Sequence, residues 1–86
     1  MRTLVLSSQF RRQAKKLVKR DRQLKKNLKA TLEYLSGNLK HPSLNLHKLA
    51  GQNNWSASVT DDIRIILHWE ENKLYLLKIG HHNEVY

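Results

Sequence analysis

The spacing of the apolar residues changes midway along the chain, and this change constrains the fold more than any other feature. In the first segment an apolar stripe recurs at helical spacing, formed by Phe10, Ala14, Leu17 and Val18. From Trp55 onward the period becomes two, as in β-strands that bury one face. The sequence therefore predicts helices in the first half of the chain and a sheet in the second.

Two successive amphipathic helices are predicted after a short strand at residues 2–6. Ser7 and Ser8 offer N-caps for the first helix and Asp21 for the second, because their side chains can accept hydrogen bonds from free backbone N–H groups. The inner face of the second helix is formed by Leu24, Leu28, Leu32 and Leu35. Gly37 is the expected C-cap. A break between the two helices makes them a helical hairpin.

The second half is predicted to form a sheet after a loop-rich connector at residues 38–54. Three strands follow at residues 55–60, 63–69 and 73–79, separated by polar turns. We expect an α+β fold with the order β-α-α-β-β-β, in which two N-terminal helices pack on a curved, mostly antiparallel sheet. The length of 86 residues predicts one domain that spans residues 1–86.

The positive charge of the chain is confined to its first half. Residues 1–40 contain twelve Lys and Arg and two acids, a net charge of +10, whereas residues 41–86 contain four Lys and Arg and five acids, a net charge of −1. The sum is the formal net charge of +9. Such a field attracts polyanions. Nucleic acid or an acidic protein is therefore the expected partner, and a solvated helical face kept soluble by lysine is the alternative.

The composition also bears on the compartment. The chain contains no cysteine, which excludes disulfides and thiolate chemistry and fits a reducing compartment. No apolar run approaches the ~18 residues of a membrane span. The N-terminus lacks the apolar core of a secretion signal. We therefore expect a cytoplasmic protein that does not contact a membrane.

Several side chains of the second half could together cleave RNA, namely His47, Arg64, Lys78, His82 and Tyr86. Cleavage by the 2′-hydroxyl of RNA needs a base, an acid and a cation at the phosphate. Histidine suits both proton transfers, and Arg or Lys suits the phosphate. An aromatic ring can stack on a base. Five scattered histidines are also common in proteins without such a site, so composition alone leaves the function open.

Face alternation within the strands refines this interpretation. On the strand at residues 63–69, Arg64, Ile66 and His68 share one face, opposite Ile63, Ile65, Leu67 and Trp69. Arg64 and Lys78 could share a sheet face. Because an unpaired guanidinium in an apolar strand is costly, we expect Arg64 either to pair with Asp62 or to face a site. Neighbouring side chains on a strand point to opposite faces, so His81 and His82 are not expected to bind one metal ion.

Five short motifs mark the second half: His47-x-Leu49-x-Gly51, Trp55, Asp62-x-Arg64-Ile65-Ile66, Gly80-x-His82 and Glu84-Val85-Tyr86. Together with the two basic helices, their order and spacing resemble the RelE/ParE superfamily of toxins, and within it the YafQ-like mRNA interferases. The resemblance covers nearly the whole chain. It implies two helices on a curved antiparallel sheet, and a toxin that enters the ribosomal A site and cuts mRNA. It also implies a cognate antitoxin that holds the toxin inactive.

The resemblance implies roles for individual residues. His82 matches the histidine taken as general acid, and His47 matches an active-site histidine on the connector. Asp62 matches the acidic residue before the central strand, where it would orient a histidine or act as base. Each residue also has a structural interpretation: His82 could be an ordinary surface histidine, His47 could pin the connector through a backbone hydrogen bond, and Asp62 could only make the turn.

The resemblance further implies that Arg64 and Lys78 bind the phosphate and that Tyr86 stacks on the substrate base. In structural terms, Lys78 could instead be an edge cation and Tyr86 a frayed end of the chain. Two departures stand out. Ser58 occupies the place of a histidine in YafQ-like members, which leaves the general base open, with His47 a candidate if the connector folds over the sheet. Lys78 replaces an arginine and loses its bidentate fork.

The predicted function is that of the toxin of a type II toxin–antitoxin system, a ribosome-dependent endoribonuclease. The reaction would be 2′-hydroxyl transesterification without a metal or cofactor. The expected partners are a cognate antitoxin, in a toxin–antitoxin hetero-oligomer, and the ribosome with its mRNA. Two alternatives remain: a ParE-like inhibitor of DNA gyrase, which needs no nuclease site, and a catalytically inactive module that binds RNA or the ribosome.

Overall fold

The computed structural model describes residues 1–50 and 53–86, so Gly51 of the first motif lies outside the described residues. The chain begins with strand β1 and two helices, at Thr3–Leu6 (β1), Ser8–Val18 (α1) and Arg22–Gly37 (α2). A 3₁₀ turn at Pro42–Leu44 follows. The remaining elements are β2 (His47–Lys48), β3 (Asn54–Ser58), β4 (Ile63–Glu70), β5 (Lys73–His81) and a short helix α3 (His82–Val85).

Side-chain caps start both long helices, as the sequence predicts. The Ser7 hydroxyl accepts a hydrogen bond from the Phe10 N–H at 3.0 Å, and the Asp21 carboxylate accepts one from the Leu24 N–H at 2.9 Å. Such caps satisfy amide donors that the first turn of a helix leaves free.

Among the described residues, no helix is long and apolar enough to cross a membrane.

The end of α2 lies one residue later than predicted. Gly37 is the last helical residue, and Asn38 is the cap because its N–H still reaches the Tyr34 carbonyl at 2.7 Å. The proposed C-cap at Gly37 is therefore wrong by one position.

The five strands form one sheet in the order β1-β5-β4-β3-β2. All neighbouring strands are antiparallel except β1, which lies parallel to β5. The α+β class with two helices on a mostly antiparallel sheet is confirmed. Two elements were not predicted. The connector adds β2 to the edge of the sheet instead of folding over it, and the residues after β5 form α3. Both are too short to show a periodicity in the sequence.

The core lies between the helices and one face of the sheet. Its members come from both layers and are almost inaccessible to solvent: Phe10, Leu24, Leu28, Leu35, Ile63, Ile65, Leu67, Leu74, Leu76 and Ile79. Burial of one such side chain contributes about 1.5–3 kcal/mol relative to its exposed state. The predicted face of β4 that carries Ile63, Ile65 and Leu67 is thus the helix-facing one. Trp55 and Trp69 pack at its margin, 5.2 Å apart between ring centroids.

A bulge in β5 decides which residues of that strand face the helices. Ile66 pairs with Lys78, but the next residue, Leu67, pairs with Leu76, so Leu77 is the extra residue. Without the bulge, alternation from Leu76 would put Lys78 on the helix-facing side. The bulge turns Lys78 to the opposite face.

Candidate active site

The face of the sheet turned away from α1 and α2, here called the open face, carries the polar residues that the sequence singles out. Strand pairing arranges them in three rows, in which directly paired residues share a face. The first row is Ser58–Arg64–Gly80, the second His47–Ser56–Ile66–Lys78 and the third Asn54–His68–Tyr75. Successive rows lie about 6.7 Å apart, which is two residues along a strand. Three candidate residues, His47, Arg64 and Lys78, therefore occupy neighbouring rows.

Helix α3 brings two further candidates to the open face. The hydroxyl of Tyr86 is hydrogen-bonded to the hydroxyl of Ser56, a fully buried residue of the middle row. The ring of His82 meets the ring of Tyr86 edge to face, with 4.6 Å between centroids and 66° between planes. Ser56 is in turn paired with His47 across β2 and β3. Each residue in the order His82, Tyr86, Ser56 and His47 is therefore a direct neighbour of the next. Both histidines are exposed.

The short helix approaches β5 closely because residue 80 is glycine. A Cβ atom on Gly80 would lie 3.2 Å from Cγ1 of Val85, which is tighter than most real contacts of this kind. Val85 is buried at this contact, with 5% of its surface exposed. In the Gly80-x-His82 motif, the glycine thus allows α3 to approach β5 closely, and the histidine is the first residue of α3. His82 follows β5 directly, because that strand runs to His81, two residues beyond its predicted end at Ile79.

Arg64 faces the open side with its charge unpaired. Its guanidinium donates to the Ser58 hydroxyl and, at 3.3 Å, to the Asp61 backbone carbonyl. Both acceptors are neutral. An ion pair with Asp62, one of the two expected alternatives, does not form. The Arg64 Nε is shielded from solvent and has no hydrogen-bond partner among the described residues. Hydrogen bonds to neutral oxygens hold the guanidinium in place without neutralising its charge, so it can still bind an anion.

Lys78 is the second half-buried cation of the open face. It is paired with Ile66, which is only 3% exposed although it lies outside the helix-facing core. In the part of the chain that the structure describes, the Lys78 amine makes no hydrogen bond and no ion pair. Arg64 and Lys78 therefore present two uncompensated positive charges on neighbouring rows.

The tautomer of His47 can be assigned from its contact. The Nδ1 atom lies 3.1 Å from the Asn45 carbonyl oxygen, which can only accept, so Nδ1 carries the proton when the ring is neutral. The Nε2 atom then carries the lone pair. The backbone hydrogen bond that offered a structural interpretation of His47 is present, and it leaves Nε2 ready to take a proton.

The side chain of Asp62 contacts a histidine, and that histidine is His81. Its carboxylate accepts a hydrogen bond of 2.6 Å from Nδ1 of His81. This bond raises the pKa of His81 above the ordinary value of 6.5. Partial loss of hydration opposes the rise, and the charges of Asp62 and Glu84 reinforce it. From the sequence, the one expectation for His81 was that it would not share a metal ion with His82. No local pattern in the sequence could have found this contact, because it depends on the pairing of Ile63 with His81, which places the start of β4 beside the end of β5.

The other polar features are simpler. No group of three or more His, Asp and Glu side chains within residues 1–50 and 53–86 is arranged to hold a metal ion. The absence of a cofactor stays a prediction. The basic residues of the two helices and of the turn between them are exposed: Arg11, Arg12, Lys15, Lys16, Lys19, Arg20, Arg22, Lys25, Lys26 and Lys29. They form a positively charged surface on the helix layer.

Comparison with known proteins agrees with this architecture. No protein-family model and no curated protein sequence matches the chain. Among solved structures, a metal-bound toxin from Helicobacter pylori matches all of both chains with a TM-score of 0.82 and 25% sequence identity. YafQ from E. coli matches with a TM-score of 0.81 and 20% identity, over 100% of this chain and 99% of that chain.

Two further structures extend the comparison. The E. coli DinJ–YafQ complex contains a chain that matches with a TM-score of 0.81 and 21% identity, over 100% of this chain and 99% of that chain. A YoeB/ParE toxin from Agrobacterium tumefaciens matches with a TM-score of 0.76 and 14% identity, over 93% of this chain and 98% of that chain. Helices, sheet order and full-length similarity lead to one conclusion: this chain has the fold of RelE/ParE-like toxins.

Proposed function

We propose that the protein is the toxin of a type II toxin–antitoxin system and that it cleaves mRNA in the ribosomal A site. The observation that carries this proposal is the convergence of two histidines, two unpaired cations and an aromatic ring on the open face. A module that only binds its target has no need for proton-transfer groups beside two unpaired cations. The proposal takes residues 1–86 as one domain.

The two histidines would divide the proton transfers. Nε2 of His47 takes the proton of the 2′-hydroxyl, and the 2′-oxygen attacks phosphorus. The bond from phosphorus to the 5′-oxygen breaks, and His82 donates a proton to that oxygen. The products are a 2′,3′-cyclic phosphate and a free 5′-hydroxyl, so atoms and protons balance. Each positioned group of this kind contributes about 10²–10⁴-fold in rate.

The two cations would stabilise the charge that accumulates on the phosphate oxygens. Arg64 is held in place by Ser58 and the Asp61 carbonyl, so little reorganisation is needed when the phosphate arrives. Lys78 lies on the next row and offers a point charge in place of a fork. Ser58, which replaces the histidine of YafQ-like members, thus supports the arginine in this chain.

Tyr86 would stack on the base of the cleaved nucleotide. Half of its surface is exposed, while its hydroxyl is anchored to Ser56 and one edge is covered by His82. Stacking on an aromatic side chain contributes about 1–3 kcal/mol per base. Because phosphate contacts carry no sequence information, codon preference would depend on this small site.

The basic helices would hold the toxin to ribosomal RNA, and an antitoxin would block it. Their exposed Lys and Arg side chains suit phosphate contacts that position the protein. YafQ occurs in a complex with DinJ. By analogy, we infer that a cognate antitoxin with an acidic segment binds this chain in a hetero-oligomer, neutralises its charge and folds as it binds.

Primer extension on mRNA after expression of the chain tests the proposal. Wild type should cut inside translated codons, and His82→Ala should not. His68→Ala is the matched control, because His68 lies on the open face but pairs with Glu70 and does not contact Tyr86. Growth arrest without cuts would move the function to gyrase or another bound target. Neither cuts nor arrest would indicate an inactive or purely binding protein.

A further inference from the structure

We propose that His81 is a positioning residue, whose hydrogen bond to Asp62 fixes the start of α3 and thereby the place of His82 beside Tyr86. This inference rests on the proposed function, since it assigns His81 a part in the same reaction. His81 does not face the open side with the other groups, and it would act through the backbone. We call the pair the His81–Asp62 clamp.

Three hydrogen bonds meet at the junction of β5 and α3. The first is the His81–Asp62 contact of 2.6 Å. In the second, the His82 N–H donates to the backbone carbonyl of Asp62 at 2.8 Å. In the third, the His81 N–H donates to the Glu84 carboxylate at 3.2 Å. One residue of the turn between β3 and β4, Asp62, therefore holds both the side chain of residue 81 and the main chain of residue 82.

The junction matters because little else positions His82. Its side chain makes no hydrogen bond to any described residue, and its one ring contact is with Tyr86. The position of the imidazole is thus set by the backbone of the first residue of α3 and by that ring. In reactions that depend on proximity, a displacement of about 1 Å can cost about 10²-fold in rate.

The surroundings of His81 favour its charged, clamped state. Asp62 faces it from the β3–β4 turn and Glu84 from α3. A cavity of about 380 Å³ is lined by His81, by Asp62 and, at the start of α2, by Asp21. An adjoining groove of about 470 Å³ brings Lys16 of α1 and Glu84 to the same residue. The acidic neighbours outnumber the basic one, so the raised pKa of His81 agrees with the geometry.

Three substitutions separate the hydrogen bond from the bulk of the ring. In His81→Asn the amide nitrogen takes the place of Nδ1 and can still donate to Asp62. In His81→Gln the nitrogen takes the place of Nε2, and in His81→Phe no donor remains. His68→Phe is the matched control, because it removes another histidine of the same sheet that is bonded to a carboxylate, at a half-buried position.

Hydrogen exchange of the His82 backbone amide in the free protein is the first measurement. We expect exchange at least about fivefold faster in His81→Phe and His81→Gln, and near the wild-type rate in His81→Asn and His68→Phe. Equal exchange in all five proteins would overturn the clamp. If His81→Phe fails to fold, the comparison of His81→Gln with His81→Asn decides the same question.

Steady-state cleavage kinetics is the second measurement. We expect His81→Phe and His81→Gln to lower kcat about tenfold with KM unchanged, and His81→Asn to restore it to within about threefold of wild type. If wild type does not cleave RNA, the proposed function fails, and the exchange result alone decides whether the clamp exists. If wild type cleaves and all three variants match it, the positioning role fails and the nuclease stands.

Discussion

The two faces of the sheet use the same strands for opposite purposes. On the helix-facing side, Ile65, Leu67 and Leu76 are fully buried and pack against other apolar side chains of the core. On the open face, the charges of Arg64 and Lys78 have no acidic partner. The rings of His82 and Tyr86 contact each other at the surface. Stability and the proposed chemistry are therefore separable, because alternate residues of one strand serve each.

The largest expected effect is on the open face. If the proposed function holds, His82→Ala should reduce the rate of mRNA cleavage about 10²–10⁴-fold, because it removes the proposed general acid of the leaving oxygen. Its free energy of unfolding should change by no more than about 0.5 kcal/mol, since the side chain is exposed. Cleavage assays and urea unfolding on the same preparation check both. A variant that loses activity only because it unfolds would break the separation of the two faces.

The complementary substitution is on the helix-facing side and should lower the stability of the protein. Leu76→Ala should lower the free energy of unfolding by about 2–5 kcal/mol, because it opens a cavity in a fully buried site. The control is Leu77→Ala, one residue along at the bulge and only half-buried, which should cost much less. Urea unfolding gives the values. Equal losses in the two leucine variants would show that the bulge does not separate core from surface.

The two cations of the open face should respond in opposite directions. Arg64→Lys removes the fork that binds Ser58 and the Asp61 carbonyl, and we expect a loss of about tenfold in kcat. Lys78→Arg adds a fork at the neighbouring row and should preserve or raise kcat. Steady-state kinetics measures both. If Arg64→Lys is as active as wild type, the guanidinium is not the phosphate ligand.

Glycine substitutions sharpen the comparison at the junction with α3. Gly80→Ala places a methyl group 3.2 Å from Val85 and should destabilise the protein by about 1 kcal/mol while it shifts α3 and slows cleavage. Gly37→Ala meets nothing within 4 Å at the end of α2 and should be neutral or stabilising by up to about 1 kcal/mol. Thermal unfolding and cleavage distinguish them. Similar behaviour of the two alanines would contradict the close approach of α3.

The smallest effect concerns pH. The pKa of His81 is raised by Asp62, so the clamp stabilises the fold below the unfolded pKa of about 6.5 and is lost as the pH rises through the higher folded value. The melting temperature of wild type relative to His81→Phe should therefore be highest near pH 5.5 and should decline towards about pH 8.5. A difference that grows with pH would have the wrong sign for this interaction.

Much of the fold could be predicted because it depends on local chemistry. The helical spacing of Phe10 and Ala14, the caps at Ser7 and Asp21 and the alternation along β4 are all properties of neighbouring residues. Element boundaries were less certain: β3 begins at Asn54 and ends at Ser58, whereas the pattern predicted residues 55–60. The candidate residues followed from residue type, spacing and resemblance, and their roles stay predictions.

The sequence by itself determined the helix and sheet layers and the set of candidate side chains, since both follow from the periodicity and the types of residues along the chain. The tertiary structure alone decided which residues meet. The bulge at Leu77 turns Lys78 to the open face, Ser56 receives the hydroxyl of Tyr86, and Asp62 binds His81 instead of Arg64. These contacts join residues 19 to 30 positions apart or depend on strand register, and no local pattern encodes a register that long-range pairing sets.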